Sequence, residues 1–168
     1  NPLNLNEDEV VAAVDRLIGA GVNAIAVCFL WSFKHPDHEQ RVRAIIHKRA
    51  PQMFVTCSSD LVPKWGEYER TTAVALNAYI GPLTSGYLKQ LKRRLNDLGY
   101  RQPLQITQCG GGTISVEKAM EAPLLTLDSG PVSGVTGSKY LGDLLGYANI
   151  ITTDMGGTDA DLDAPESV

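Results

Sequence analysis

The sequence predicts an α/β fold, because short apolar runs alternate with longer segments in which apolar residues recur at helical spacing. Two of these runs, Ala24–Leu30 and Phe54–Ser58, flank a helical segment that opens at Pro36. This β-α-β order predicts that the two strands are parallel neighbours with helices on their faces. Such alternation over 168 residues fits one domain or a large part of a bigger one.

Composition excludes several classes of function. The chain is 43% hydrophobic and 20% charged, with a net charge of −4. Its most basic stretch, Lys89 to Arg94, is interpreted as a solvated helix face, so nothing indicates the basic surface that a nucleic-acid-binding protein needs. The sequence contains no run of about 18 apolar residues, so it predicts no membrane-spanning helix. The three cysteines form no Cys-x-x-Cys pair, which argues against structural zinc and favours reduced thiols in the cytoplasm.

The first helix is predicted from Asn6, an N-cap residue followed by three acidic residues that favour the positive end of the helix dipole. Glycines at positions 19 and 21 end it. The later predicted helices cover 36–48, 65–80, 83–98, 116–122 and 130–145, and the later strands cover 54–58, 104–109, 124–127 and 149–153. The break between 80 and 83 is placed at Gly81-Pro82, since proline removes a helical hydrogen bond.

The segment Asp154-Met155-Gly156-Gly157-Thr158 follows the last predicted strand and carries the strongest functional signal. A strand that ends in aspartate places a carboxylate at the edge where α/β sheets bind ligands. Adjacent glycines bring backbone N–H groups close to phosphate oxygens, and Asp154, with Asp161 beyond it, suits Mg²⁺. The alternative is a hairpin with a glycine turn, in which the aspartate bonds its own backbone.

Two other glycine-rich segments are weaker candidates. Ser129-Gly130 opens a helix whose small residues suit either phosphate binding or close helix packing. Gln108–Thr113 ends a strand in three glycines and either lines the same cleft or forms a flexible turn.

Several polar and aromatic residues receive structural interpretations. Asp37 and Glu39 are interpreted as dipole partners in the first turn of a helix rather than as metal ligands. Glu67, Glu69 and Arg70 either form ion pairs along a helix or contact substrate. The expected core residues include two cysteines and four aromatic residues: Cys28, Cys57, Trp31, Phe33, Trp65 and Tyr68.

Taken together, the sequence resembles the hydantoinase A / 5-oxoprolinase family over nearly its whole length. The resemblance is carried, in a shared order, by Ala24–Val27, His38-Glu39, Glu67–Thr71, Asn77–Tyr79, Gly110-Gly111, Ser129–Pro131 and Asp154–Thr158. The family usually has serine or threonine after Gly-Gly-Thr, whereas this chain has Asp159, whose charge would repel phosphate.

The resemblance implies an actin-like ATPase (ribonuclease H-like) architecture, in which two α/β domains hold Mg-ATP between two phosphate loops. The loop at Asp154 corresponds to the second, so the chain is expected to be an internal part of a longer polypeptide. Residues 1–148 would then be its central α/β region, and 149–168 the start of the next ATPase subdomain.

The resemblance also implies the activity, an ATP-dependent hydrolysis of a cyclic amide of the hydantoin or 5-oxoproline type by phosphorylation of the carbonyl oxygen. Asp154 would act in catalysis and in Mg²⁺ binding with Asp161, and the phosphates would contact Gly156, Gly157, Thr158, Ser129 and Gly130. A second, hydantoinase B-like subunit is the expected partner, and these 168 residues alone are expected to be inactive. The alternatives are an acetone-carboxylase-type subunit and a nucleotide-gated binding protein of the same fold.

Overall fold

The computed structural model describes residues 4–155. Its helices and strands follow one another in the order α1 (Glu7–Gly19), β1 (Ala24–Val27), α2 (Asp37–Arg49), β2 (Phe54–Cys57), α3 (Ser58–Leu61), α4 (Glu67–Asp97), β3 (Gln105–Thr107), β4 (Thr113–Ser115), α5 (Val116–Glu121), a 3₁₀ helix (Pro123–Thr126) and α6 (Ser129–Leu145).

The predicted parallel pair is present. β1 and β2 run side by side, with Ala24 opposite Phe54 and Val27 opposite Cys57. One face packs against α1 and α2, and the buried core there consists of Val14, Ile25, Val27, Val42, Ile46 and Cys57. α4 covers the other face, where Thr56 of β2 accepts a hydrogen bond from the Asn77 side chain. Alternate strand residues therefore face helices on both sides, which confirms the α/β fold class.

The first helix begins as predicted. The Asn6 side chain accepts a hydrogen bond from the Glu9 backbone N–H at 3.4 Å, and acidic residues occupy the first turn. Both features stabilise the N-terminal end of the helix, where backbone N–H groups lack helical partners.

α4 corrects the predicted break at Gly81-Pro82, because it runs without interruption from Glu67 to Asp97. Gly81 is buried against the ring of Phe54, and a Cβ atom at this position would overlap that ring. The lost backbone hydrogen bond at Pro82 is therefore outweighed by packing on both sides of the proline, a tertiary effect that local propensity does not contain.

The structure adds one strand that was not predicted, β4, and removes two that were. The glycine segment after β3 closes an antiparallel hairpin with β4, in which Gly111 and Gly112 have φ angles of +84° and +71°. The segment predicted as a strand at 124–127 lies largely in the 3₁₀ helix, where the Leu124 N–H donates to the Asn77 side-chain oxygen. Residues 149–153 form no strand among residues 4–155.

A second, smaller core lies under the hairpin and consists of Leu88, Val116 and Ala119 with partly buried neighbours. Among residues 4–155, no helix combines the length and the apolar character needed to cross a membrane.

Candidate functional site

The carboxyl ends of β1 and β2 carry the loop 28–36 and the short helix α3, and this edge is where open α/β sheets bind ligands. Four polar side chains are almost completely buried there: Ser32, Glu39, Ser58 and Arg70. They come from the loop after β1, from α2, from α3 and from α4, so tertiary folding brings them together. Buried charges and hydroxyls must be hydrogen bonded, so their partners define what this cluster does.

Glu39 is the acceptor at the centre of the cluster. Its carboxylate accepts hydrogen bonds from the Phe29 N–H at 2.8 Å, the Ser58 hydroxyl at 2.7 Å and the Ser59 N–H at 2.8 Å. Burial alone would raise the pKa of this carboxyl, but the bonds from Ser59, Ser58 and Phe29 together hold the pKa below its ordinary value. Glu39 therefore stays ionised and joins the loop after β1 to the short helix α3.

This position corrects one interpretation made from the sequence. Glu39 lies in the first turn of α2, as predicted, but its side chain is fully buried and does more than face the helix dipole. The sequence did contain a signal for it, namely two polar residues, Ser58 and Ser59, directly after an apolar strand.

Arg70 is the donor of the cluster and is also fully buried. Its guanidinium donates to the Ser32 hydroxyl at 2.6 Å and to the Phe29 carbonyl at 2.8 Å. The guanidinium carbon also lies 5.4 Å from the centre of the Phe33 ring, within range of a cation–π interaction. The Glu67 carboxylate on the same helix is 3.7 Å away, so the alternative of an ion pair along α4 is present.

The direction of hydrogen bonding through the cluster is fixed by chemistry. Arginine only donates, and an ionised carboxylate only accepts. The Ser58 hydroxyl donates its single hydrogen to Glu39. The Ser32 hydroxyl, whose oxygen is 2.8 Å from that of Ser58, must therefore be the donor in the hydrogen bond between the two serines. The order of donation is therefore Arg70 to Ser32 to Ser58 to Glu39, and we call these four residues the hydroxyl relay.

Three of the four aromatic residues that were expected in the core are exposed, and the fourth, Phe33, is half-buried. The exposed fractions are 57% for Trp31, 79% for Trp65 and 81% for Tyr68. Trp31 stacks on Phe33 with ring centres 5.6 Å apart, and its φ of +59° lies in the left-handed region, which is rare for a bulky residue.

Asn77 is a second buried junction. Its amide group donates to the Thr56 hydroxyl and to the Glu121 carbonyl, and its oxygen accepts from the Leu124 N–H. One side chain thus connects α4 to β2, to α5 and to the 3₁₀ helix. Asn77 lies in one of the segments that resemble the family, but no local sequence pattern assigns it a role.

The predicted phosphate-binding residues lie elsewhere. Ser129 and Gly130 open α6, whose N-cap residue Asp128 provides no side-chain capping bond. Asp154 lies after α6 in a segment without regular structure, and its side chain is exposed. The structure does not bring any of these residues into the hydroxyl relay. Gly156, Gly157, Thr158 and Asp161 lie outside the described residues.

The cysteines differ in environment. Cys57 is buried, and burial raises the pKa of its thiol to about 11, so it is a neutral core residue at physiological pH. Cys28 is half-buried and Cys109 is exposed. A groove of about 680 Å³ runs along β2 between α4 and α5, and none of the predicted site residues that the structure describes lines it.

Comparison with known proteins identifies the family. Residues 2–50 match the family model described as the hydantoinase/oxoprolinase N-terminal region, and residues 70–164 match the model described as hydantoinase/oxoprolinase. The caprolactamase subunit alpha of Pseudomonas jessenii is 33% identical over 94% of this chain.

Two solved structures share the fold. The crystal structure of the ATP-dependent caprolactamase from Pseudomonas jessenii matches with a TM-score of 0.80 and 30% identity over 94% of this chain and 23% of its own. The nucleotide-free structure of acetone carboxylase matches with a TM-score of 0.80 and 32% identity over 93% of this chain and 22% of its own. The architecture is consistent with the actin-like ATPase type, and the chain spans 23% of the caprolactamase subunit's length. With more than half of its residues matched by one family model, the chain belongs to the hydantoinase/oxoprolinase family.

Proposed function

We propose that the full-length protein is an ATP-dependent hydrolase of a cyclic amide. The observation that carries the proposal is the joint match in sequence and fold to the ATP-dependent caprolactamase, since a caprolactamase opens a lactam ring. The overall reaction consumes two waters: one is added across the amide C–N bond that breaks, and the other accounts for the conversion of ATP to ADP and phosphate. Hydantoin and 5-oxoproline are cyclic amides of the same chemical class.

The residues proposed to hold the nucleotide are those of the loop after α6. The carboxylate of Asp154 is exposed, which fits a Mg²⁺ ion that keeps most of its water ligands. Asp161 is the second proposed acidic ligand. Gly156, Gly157 and Thr158 would offer backbone N–H groups and a hydroxyl to the phosphates.

Ser129 and Gly130 are the proposed contribution of α6. Among the described residues no side chain caps the first turn of this helix, so its N–H groups suit an anion. When bound, the nucleotide supplies the phosphoryl group that makes the amide carbon open to attack by water. The chain's own part is to bind and orient the phosphates and to keep the loops at the sheet edge in one conformation.

The partner and location belong to the same proposal. The relative from Pseudomonas jessenii is named a subunit, which supports a second, hydantoinase B-like subunit for this protein. The need for ATP supports a cytoplasmic location as part of the proposal. The division of the chain near residue 148 into a central region and the start of a second subdomain stays a prediction.

A carboxylase is the second candidate function. The acetone carboxylase structure matches this chain as well as the caprolactamase structure does, with the same TM-score of 0.80. Both reactions would activate an oxygen-bearing carbon with ATP, so the described residues suit either.

The test is phosphate release from Mg-ATP by the full-length protein. We expect release to rise when caprolactam, hydantoin or 5-oxoproline is added, and not when an open-chain amide such as N-methylacetamide is added. Release that responds only to acetone with bicarbonate would transfer the assignment to the carboxylase. Release that responds to none of these would overturn both functions.

A further inference from the structure

Helix α4 carries a line of large apolar side chains on its outer face. The five residues and their exposed fractions are Tyr68 at 81%, Leu76 at 46%, Tyr79 at 84%, Leu83 at 82% and Tyr87 at 63%. Their spacing of three, four and eight residues puts them on one side of the helix over about 28 Å. We call these residues the α4 ridge.

The opposite face of the same helix is already buried. Val74, Asn77, Ala78, Gly81, Ser85 and Leu88 lie against the strands, α5 and the 3₁₀ helix. A helix with one buried face normally shows charged residues on its other face, and a helix that is apolar all round is normally buried on all sides.

The N-terminal part of α4 has the composition of a helix that is buried on all sides, and its C-terminal part has that of a helix with one face in solvent. From Thr71 to Leu88 the helix has no charged residue at all. The next six positions, Lys89 to Arg94, contain four basic residues, and those four side chains are exposed. The helix therefore changes from a buried to a solvent-facing composition after Leu88, directly beyond Tyr87, the last residue of the ridge.

From this pattern we infer that the α4 ridge is covered, from Tyr68 to Tyr87, by another segment of the same full-length polypeptide. The contact with this segment ends before Lys89. A second helix is the element that fits, because side chains spaced by three and four residues form a ridge that packs into the groove of a neighbouring helix.

One observation and one physical argument favour the same polypeptide over a separate protein. The chain spans 23% of the caprolactamase subunit it resembles, so most of that relative's length lies outside the matching region and is available as a cover. A segment tied to the same chain also reaches the ridge at high effective concentration as the protein folds. An uncharged ridge of about 28 Å that waited for a free partner would promote aggregation.

The test compares two engineered cysteines in the full-length protein. Leu83→Cys lies on the ridge, and Arg93→Cys is the matched control, because both positions are exposed on α4 in the described residues. Labelling by a maleimide, resolved by peptide mass spectrometry, should be at least about tenfold slower at Leu83→Cys, as expected for a buried site that opens only by local unfolding.

Three outcomes would overturn the inference. Equal labelling at both positions would mean that the ridge is open. Protection that appears only after the second subunit is added would assign the ridge to that subunit. Protection that rises with protein concentration would assign it to a second copy. If Leu83→Cys prevents folding, hydroxyl-radical footprinting of Tyr79 and Tyr87 in the unmodified protein, against the exposed Leu98, answers the same question.

Discussion

Arg70 on α4 is joined to Glu39 on α2 through two hydroxyl groups, those of Ser32 and Ser58, in an unbroken line of hydrogen bonds. Both charged groups are fully buried, and the line crosses the carboxyl edge of the parallel strands. A buried network of this kind stabilises one conformation of the loops only while every member has its partner. The relay therefore makes the shape of this edge depend on single side chains.

Replacing Glu39 with glutamine should destabilise the fold strongly. The amide keeps the size of the side chain but turns one acceptor oxygen into a donor, which must face a donor from Phe29, Ser58 or Ser59. We expect the free energy of unfolding to fall by about 2–3 kcal/mol, as for a buried donor that loses its partner. Urea unfolding of the full-length protein, followed by circular dichroism, measures the change.

Glu117→Gln is the matched control, because Glu117 pairs with Lys92 on the surface. Its substitution should leave the unfolding curve unchanged within error. Equal effects of the two substitutions would show that Glu39 is not the acceptor on which the relay depends.

Lowering the pH should destabilise the folded protein through protonation of Glu39. The pKa of this carboxyl is lower in the folded state than its ordinary value of 4.5, so its contribution is fully present above pH 4.5. That contribution is lost as the pH falls through the lowered folded-state pKa, because the folded protein then binds a proton less readily than the unfolded chain. The thermal midpoint of the parent protein should thus fall more steeply below pH 4.5 than that of Glu39→Gln.

High salt distinguishes the pH-dependent contribution of Glu39 from the contributions of ion pairs on the surface. Glu7 and Glu117 also have lowered pKa values, the first mainly through Arg41 and the second mainly through Lys92, but both are exposed. At about 0.5 M salt their contributions are screened, while that of a buried carboxyl persists. Parallel pH curves for the parent protein and Glu39→Gln under these conditions would contradict the prediction.

Two glycines of α4 should respond in opposite ways to alanine. Gly81→Ala places a methyl group in the ring of Phe54, and the overpacking should cost about 1 kcal/mol net. Gly86→Ala meets nothing within 4 Å and should stabilise the helix by about 0.5–1 kcal/mol, because alanine is the better helix former. The free energy of unfolding of each variant measures both effects.

A second substitution, at Phe54, tests whether the ring causes the loss of stability in Gly81→Ala. If the cost at Gly81 arises from the ring, then Phe54→Leu should reduce it, and the two substitutions should not be additive. A loss of stability at Gly86 equal to that at Gly81 would instead show that any side chain disturbs this part of α4.

Asp154→Asn should abolish ATP turnover in the full-length protein and leave its thermal unfolding unchanged, since the exposed carboxylate supports no part of the described core. Asp143→Asn is the matched control, because Asp143 lies on α6 and its exposed carboxylate pairs with Lys139. Phosphate release from Mg-ATP measures both variants. Undiminished turnover in Asp154→Asn would remove this residue from the proposed site.

Local patterns predicted the elements whose signals are local. The cap at Asn6, the proline at 36 and the apolar run at 54–58 predicted α1, α2 and β2 nearly at their observed ends, whereas β1 begins as predicted but ends three residues earlier, at Val27. The family segments also led to the correct family, because their order along the chain is itself a sequence property. The break expected at Gly81-Pro82 was wrong, since the packing of Phe54 on Gly81 joins residues far apart in the sequence.

The sequence by itself determined the fold class, the family and the positions of the glycine segments, because each depends on residue order or on spacing within a few turns. Only the tertiary structure showed that Glu39 and Arg70 are buried in one relay and that the α4 ridge is exposed in the described residues. Burial of a charge depends on which distant groups surround it, and because α4 has apolar residues on both faces, their spacing does not tell which face meets the core.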